Sequence, residues 1–242
     1  MFIEWVKNLG LNNPVKDFEY AKDITEFLTK QFAGLFQKFL SNQTQGLNNL
    51  LHSAFLDDLG QLGIIETTNK LSDTKFAPIQ CMDEIGYSLF FMGILGSKWV
   101  ENKSKFEKFL RKIKANNGQV RFLMINPYGS GFSTLKDMRE NNIKDTTTDV
   151  FSELVDKYPC LQARYYDFVP CFRLIFIDNK IVAVSRYGLD EKNYFKTKQG
   201  WDAPHLVIQR DYNYLSLFDP FLSYYNWVWE SAKDVKSLTT NQ

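Results

Sequence analysis

From Phe18 to about Leu62, apolar residues recur at three- and four-residue steps: Phe18, Ala21, Ile24, Phe27, Leu28, Phe32, Leu35, Phe36, Phe39 and Leu40. That is the period of an amphipathic helix. Lys22, Glu26, Lys30 and Lys38 fill the other face. Asp17, after Pro14, is the expected N-cap, and Asn42 with Gly46 marks a break before a second helix over residues 47–59. Gly60 and Gly63 are expected to end it. The pattern predicts a helical extension, residues 1–62, whose apolar stripe packs on the rest of the chain or on a second copy. Glu19, Asp23 and Glu26 stand among the lysines and weaken attraction to anionic lipid, so membrane contact is not expected.

Beyond Gly63, strand and helix patterns alternate. Short β-type runs are expected at 64–67, 87–94 and 119–126, with helices at 77–85 (Pro78 in its first turn) and 104–116 and a turn at Asn117-Gly118. Strand, helix and strand at this spacing predict a parallel pair joined by a right-handed crossover. After Pro127 come a glycine-bearing loop and one or two helices reaching Tyr158. Strands follow at 163–168, 171–177 and 180–185, with Asp178-Asn179 as the hairpin turn, and a further strand at 205–209. A helix over 218–231, with Phe221, Leu222, Tyr225, Val228 and Trp229 on one side, closes the chain. The fold class is therefore α/β, a mixed β-sheet flanked by helices, with a main domain at 63–242.

Composition narrows the function classes. The 242 residues include 29 Lys+Arg and 28 Asp+Glu, a formal net charge of +1, which argues against a chain built throughout to grip nucleic-acid backbones. Hydrophobic residues make up 44% and charged residues 24%, close to the globular average, which excludes a disordered or collagen-like chain. Cys81, Cys160 and Cys171 are an odd, scattered set, so neither a disulfide framework nor a zinc site is expected. The opening MFIEWVKNLGLNNP lacks the features of a signal peptide, and no run approaches the roughly 18–20 apolar residues of a membrane span. A cytoplasmic location, with no metal and no cofactor, is the expectation.

One segment carries chemistry: Pro170-Cys171-Phe172-Arg173-Leu174-Ile175-Phe176-Ile177-Asp178-Asn179 and the apolar strand after it. A polar–x–basic pair opens a strand, and four residues separate the basic side chain from an Asp at the turn. This resembles the His-x-Lys-x4-Asp motif of the phospholipase D-like superfamily, with Cys171 at the His position, Arg173 at the Lys and Asp178 retained. The likeness extends over about Ile64 to Val235 and includes YSLFFMGI, NNGQVRFLMINP and the closing helix FDPFLSYYNWVWESA. The resemblance implies a phospholipase D-like sheet and, for a single-motif member, a homodimer.

Active members of that family attack phosphorus with the motif histidine, neutralise charge with the lysine and protonate the leaving group with a second histidine. Here the only histidines, His52 and His205, stand outside such a motif. The family's supporting Gly-Ser and Asn positions read Ser185, Arg186 and Gly188. The expected function is thus a catalytically inactive binding, sensor or assembly module for a phosphate-bearing ligand (nucleotide or nucleic acid), in a bacterial stress or antiviral defence setting by family analogy. The alternative is a phosphodiesterase, nuclease or phospholipase with Cys171 as substituted nucleophile and His205 as the other catalytic candidate. Candidate ligand residues are Arg173 and Arg186, whose planar forks suit phosphate, together with Asp178, Ser185, Tyr187 and Asn126, the last ending a strand where α/β folds place ligand loops.

Overall fold

A computed structural model describes residues 58–71, 74–136, 144–187, 203–211 and 216–235. The helices expected before residue 58 lie outside the described residues. The tail of the second is seen at 58–61, and Gly63, with φ of 78°, turns the chain into the first strand. A Cβ at Gly63 would sit 2.5 Å from the Gln209 carbonyl oxygen, so both its left-handed backbone and its close approach demand glycine.

Eight strands form one sheet: β1 (Ile64–Thr68), β2 (Ser88–Gly93), β3 (Gln119–Ile125), β4 (Leu161–Tyr166), β5 (Phe172–Ile177), β6 (Ile181–Arg186), β7 (His205–Gln209) and β8 (Lys233–Asp234). Their order across it is β1-β7-β6-β5-β2-β3-β4-β8. The strands β2, β3 and β4 run parallel, as the strand–helix–strand spacing requires, and the other pairings are antiparallel. The expected mixed sheet with flanking helices is the observed architecture. Strand β4 starts at Leu161 rather than at 163, because its pairing with Val120 begins there. The short β8, not expected from sequence, adds two exposed residues beside β4.

Beyond that helical tail, six helices are described: α1 (Pro78–Glu84), α2 (Ser97–Val100), α3 (Lys103–Ala115), α4 (Ser130–Lys136), α5 (Lys144–Lys157) and α6 (Phe218–Ser231). Asn102 caps α3 by accepting from Lys105 N–H at 3.0 Å. One face of the sheet is covered by residues from α1, α2, α3 and α5, among them Met82, Trp99, Phe106, Leu110, Phe151 and Leu154. Phe122 of β3 stands at the centre of that layer. Its ring lies 4.7 Å from Phe151, 5.2 Å from Phe91 and 5.8 Å from both Trp99 and Phe106.

The other face is covered by α6, whose Phe218 and Tyr225 rings lie 5.4 and 5.6 Å from Phe176. Arg164 of β4 closes this helix: Nη1 donates to the Trp229 carbonyl at 2.7 Å while the guanidinium stacks 4.6 Å from the Trp229 ring. The same carbonyl accepts only a long 3.3 Å bond from the C-cap Ala232 N–H, and a cation there complements the helix C-terminus. With both faces covered, β5 reads as a continuous apolar run broken by one arginine.

Candidate functional site

Antiparallel pairing turns a sequence pattern into a row of side chains. Arg173 of β5 faces Ser185 of β6, Ser185 faces His205 of β7, and His205 faces Thr68 of β1. Directly opposed residues point to the same side of a sheet, with Cβ atoms about 4.5–5.5 Å apart. Arg173, Ser185 and His205 therefore form one line across three adjacent strands. All three are buried, at 6%, 2% and 1% exposure. The line runs along the sheet edge where β2 ends, since Met92 near the end of β2 pairs with Leu174 at the start of β5. Ligands of open α/β sheets gather at such an edge.

Cys171 and Tyr187 extend the cluster by one pair. Tyr187 N–H donates to the Cys171 carbonyl at 3.1 Å, and the Tyr187 hydroxyl accepts from Ile94 N–H, also at 3.1 Å. The Arg173 guanidinium carbon stands 5.3 Å from the Tyr187 ring centre. Tyr224 of α6 packs edge-on against Phe172, 6.3 Å between ring centres, and so approaches Cys171 from the sheet face opposite to Arg173. Burial first, and then the neighbouring Cys171, push its phenol well above the usual tyrosine range. Tyr224 escaped the sequence reading because a tyrosine in an apolar helical stripe carries no signal of which strand residue it meets.

His205 is the group with an unmet demand. Its Nδ1 lies 2.6 Å from the Ala203 carbonyl oxygen. A carbonyl only accepts, so Nδ1 carries the proton and Nε2 presents a lone pair. Among the described residues, Nε2 has no hydrogen-bond partner although it is buried. Burial, followed by the nearby Arg173 charge, brings the imidazole pKa down to about 3, against a smaller raising effect from the Ala203 hydrogen bond. The ring is neutral at physiological pH.

The remaining candidates are placed otherwise. Arg186 is paired with Phe172, one residue out of step with the row, and so projects from the opposite face to Arg173. The two arginines do not share a pocket. Asp178 lies at the far end of β5, in a turn where Asp178 and Asn179 both have positive φ, 50° and 54°. Its carboxylate accepts from Gly86, Tyr87 and Ser88 N–H, each at 2.8 Å. That is a brace holding the entry to β2 against the hairpin, five residues away from Arg173. Asn126 follows β3 on the same sheet edge as the row. Its amide donates to Asp167 Oδ1 at 2.8 Å and accepts from Tyr128 N–H at 3.0 Å, shaping the loop that follows.

No protein-family model and no curated protein matches the chain. Among solved structures, it is similar to TrmBL2, an archaeal chromatin protein whose structure shows a novel mode of DNA binding. That match has 12% identity and a TM-score of 0.42, covering 90% of this chain and 72% of that one. A phospholipase D family member, Nuc from Salmonella typhimurium, matches at 11% identity and a TM-score of 0.38, over 65% of this chain and 87% of that one. NucT from Helicobacter pylori matches at 14% identity and a TM-score of 0.41, over 70% of this chain and 99% of that one. Likeness at this level says nothing of activity.

Among the described residues, no group of three or more His, Cys, Asp or Glu side chains is arranged to hold a metal. The three cysteines are free thiols, and burial drives that of Cys81 up to about 12. No described helix is long and apolar enough to cross a membrane.

Proposed function

We propose that the chain is a non-catalytic binding module that holds a phosphate-bearing ligand, a nucleotide or a nucleic acid, at the row Arg173–Ser185–His205. The observation that carries this reading is the register of β5, β6 and β7, which sets a guanidinium and an unpartnered imidazole nitrogen on one face. Arginine supplies a fixed fork of donors for phosphate oxygens. Phosphoryl transfer through histidine would need a second imidazole to protonate the leaving group. The row of one chain offers a single imidazole, whose depressed basicity makes it a weak nucleophile, so catalysis would need a second copy to bring its own His205 to the same phosphate.

Isothermal titration with nucleotides and short oligonucleotides tests the reading. Arg173→Met, which keeps the apolar stem, is expected to weaken binding about 30-fold, the loss of about 2 kcal/mol of charge-assisted hydrogen bonding. Equal affinity in a folded Arg173→Met would remove the site. A second reading, a phosphodiesterase, draws on the Nε2 lone pair of His205 lying on the same face as Arg173 and Cys171. It requires turnover of a generic phosphodiester that disappears in His205→Gln or Cys171→Ser; the binding reading expects none.

A further inference from the structure

We infer that the Arg173–Ser185–His205 row selects a phosphate monoester, held with one proton still on it, over a phosphodiester. The inference rests on the reading that the row binds a phosphate-bearing ligand, and it names which kind.

The two ends of the row ask different things of an occupant. Arg173 offers only donors, so an ionised oxygen suits it. His205 asks for the opposite. Its Nδ1 proton is committed to the Ala203 carbonyl at 2.6 Å, and Nε2 is a buried acceptor with no donor among the described residues. Among the described residues, His205 stands opposite Ser185 of β6 and Thr68 of β1, with Arg173 of β5 one strand beyond Ser185 and the one charged side chain of the three. Thr68 already donates its hydroxyl proton to the Lys70 carbonyl at 2.8 Å. An occupant that fits must therefore carry an anionic oxygen and, about one hydrogen bond away, a proton to give.

A phosphodiester at neutral pH cannot do both. It has one ionised oxygen pair and no proton, so against Nε2 it sets acceptor on acceptor. A monoester has a second ionisation near pH 6. Retaining that proton at pH 7 is a small demand, and the P–OH then donates to Nε2 while the ionised oxygens accept from Arg173. The balance is simple: the dianion that prevails in solution takes one proton from the buffer as it binds, and that proton is shared between the phosphate oxygen and the imidazole. Affinity for the monoester consequently falls as pH rises above about 6, approaching tenfold per pH unit.

Calorimetry of the full chain with adenosine 5′-monophosphate and with its methyl ester separates the cases. At pH 7 the monoester is expected to bind at least tenfold more tightly. Repeating the titration in buffers of different ionisation enthalpy is expected to show uptake of about 0.9 proton, as a free second pKa of about 6 requires. In His205→Gln, whose side-chain amide can donate to an ionised oxygen, the preference is expected to shrink to less than threefold. Should that variant fail to fold, the proton count in the unaltered chain still decides. Equal affinity for the two esters, or monoester binding without proton uptake, overturns this inference and leaves the binding reading standing. No binding of either ester, nor of inorganic phosphate, overturns both.

Discussion

Phe122→Ala is expected to lower unfolding stability by about 4 kcal/mol, within the 3–5 kcal/mol range for deleting a buried aromatic ring. The side chain has no exposure, and its ring meets residues from β2, α2, α3 and α5. Three helices, contributing Trp99, Phe106 and Phe151, are thus pinned to the sheet through one ring. Partial collapse into the space is restricted because Gly96 already packs tightly there: a Cβ on it would lie 2.7 Å from the Phe151 ring. Phe122→Leu keeps most of the volume and is expected to cost about 1.5 kcal/mol. Urea denaturation with unchanged m-values is the check. A loss below about 2 kcal/mol for the alanine variant would mean that the helical layer repacks freely.

Asp178→Ala is expected to cost about 3 kcal/mol. The carboxylate receives three backbone N–H groups, from Gly86, Tyr87 and Ser88, and Tyr87 adds its hydroxyl to the Asp178 carbonyl. Removing the acceptor leaves those donors half-buried without a partner, and hydrogen bonds to a charged group are worth about 1.5–3 kcal/mol each before non-additivity. Alanine also fits poorly at φ of 50°, a conformation that Asp and Asn tolerate. Asp178→Asn keeps the turn and one carbonyl oxygen, so it is expected to lose about half as much. Both variants are expected to leave phosphate binding within twofold, since Asp178 sits at the opposite end of β5 from Arg173. Loss of binding at full stability would place the carboxylate in the site instead.

Much of the scaffold was legible because it obeys simple periods. The helix α3 follows its apolar residues at three- and four-residue steps, and Asn117-Gly118 ends it where a residue with φ of 53° is needed. The hairpin turn at Asp178-Asn179 was legible for the same steric reason. Its register was not. A two-residue turn at 178–179 would pair Ile177 with Lys180 and set Val184 opposite Arg173; the turn takes in Lys180 as well, Ile177 pairs with Ile181, and Ser185 stands there instead. The place of His205 was harder still, because residues 187–204 separate β7 from β6 and no local pattern fixes how the two align. Strand β8 had no readable signal: two exposed residues acquire strand pairing only because α6 delivers them beside β4. What the sequence did carry, the polar–x–basic opening of β5, became a site only through pairing partners distant along the chain.

With only two histidines in the chain, the nitrogen spectrum of the imidazole rings offers the most direct view of the row. In the free protein at pH 7, His205 is expected to show a protonated Nδ1 and an unprotonated Nε2. Titration with adenosine 5′-monophosphate to saturation is expected to shift the Nε2 signal toward that of a hydrogen-bonded nitrogen, and Arg173→Met should abolish the shift. A His205 signal that stays fixed while nucleotide saturates the protein would contradict the account.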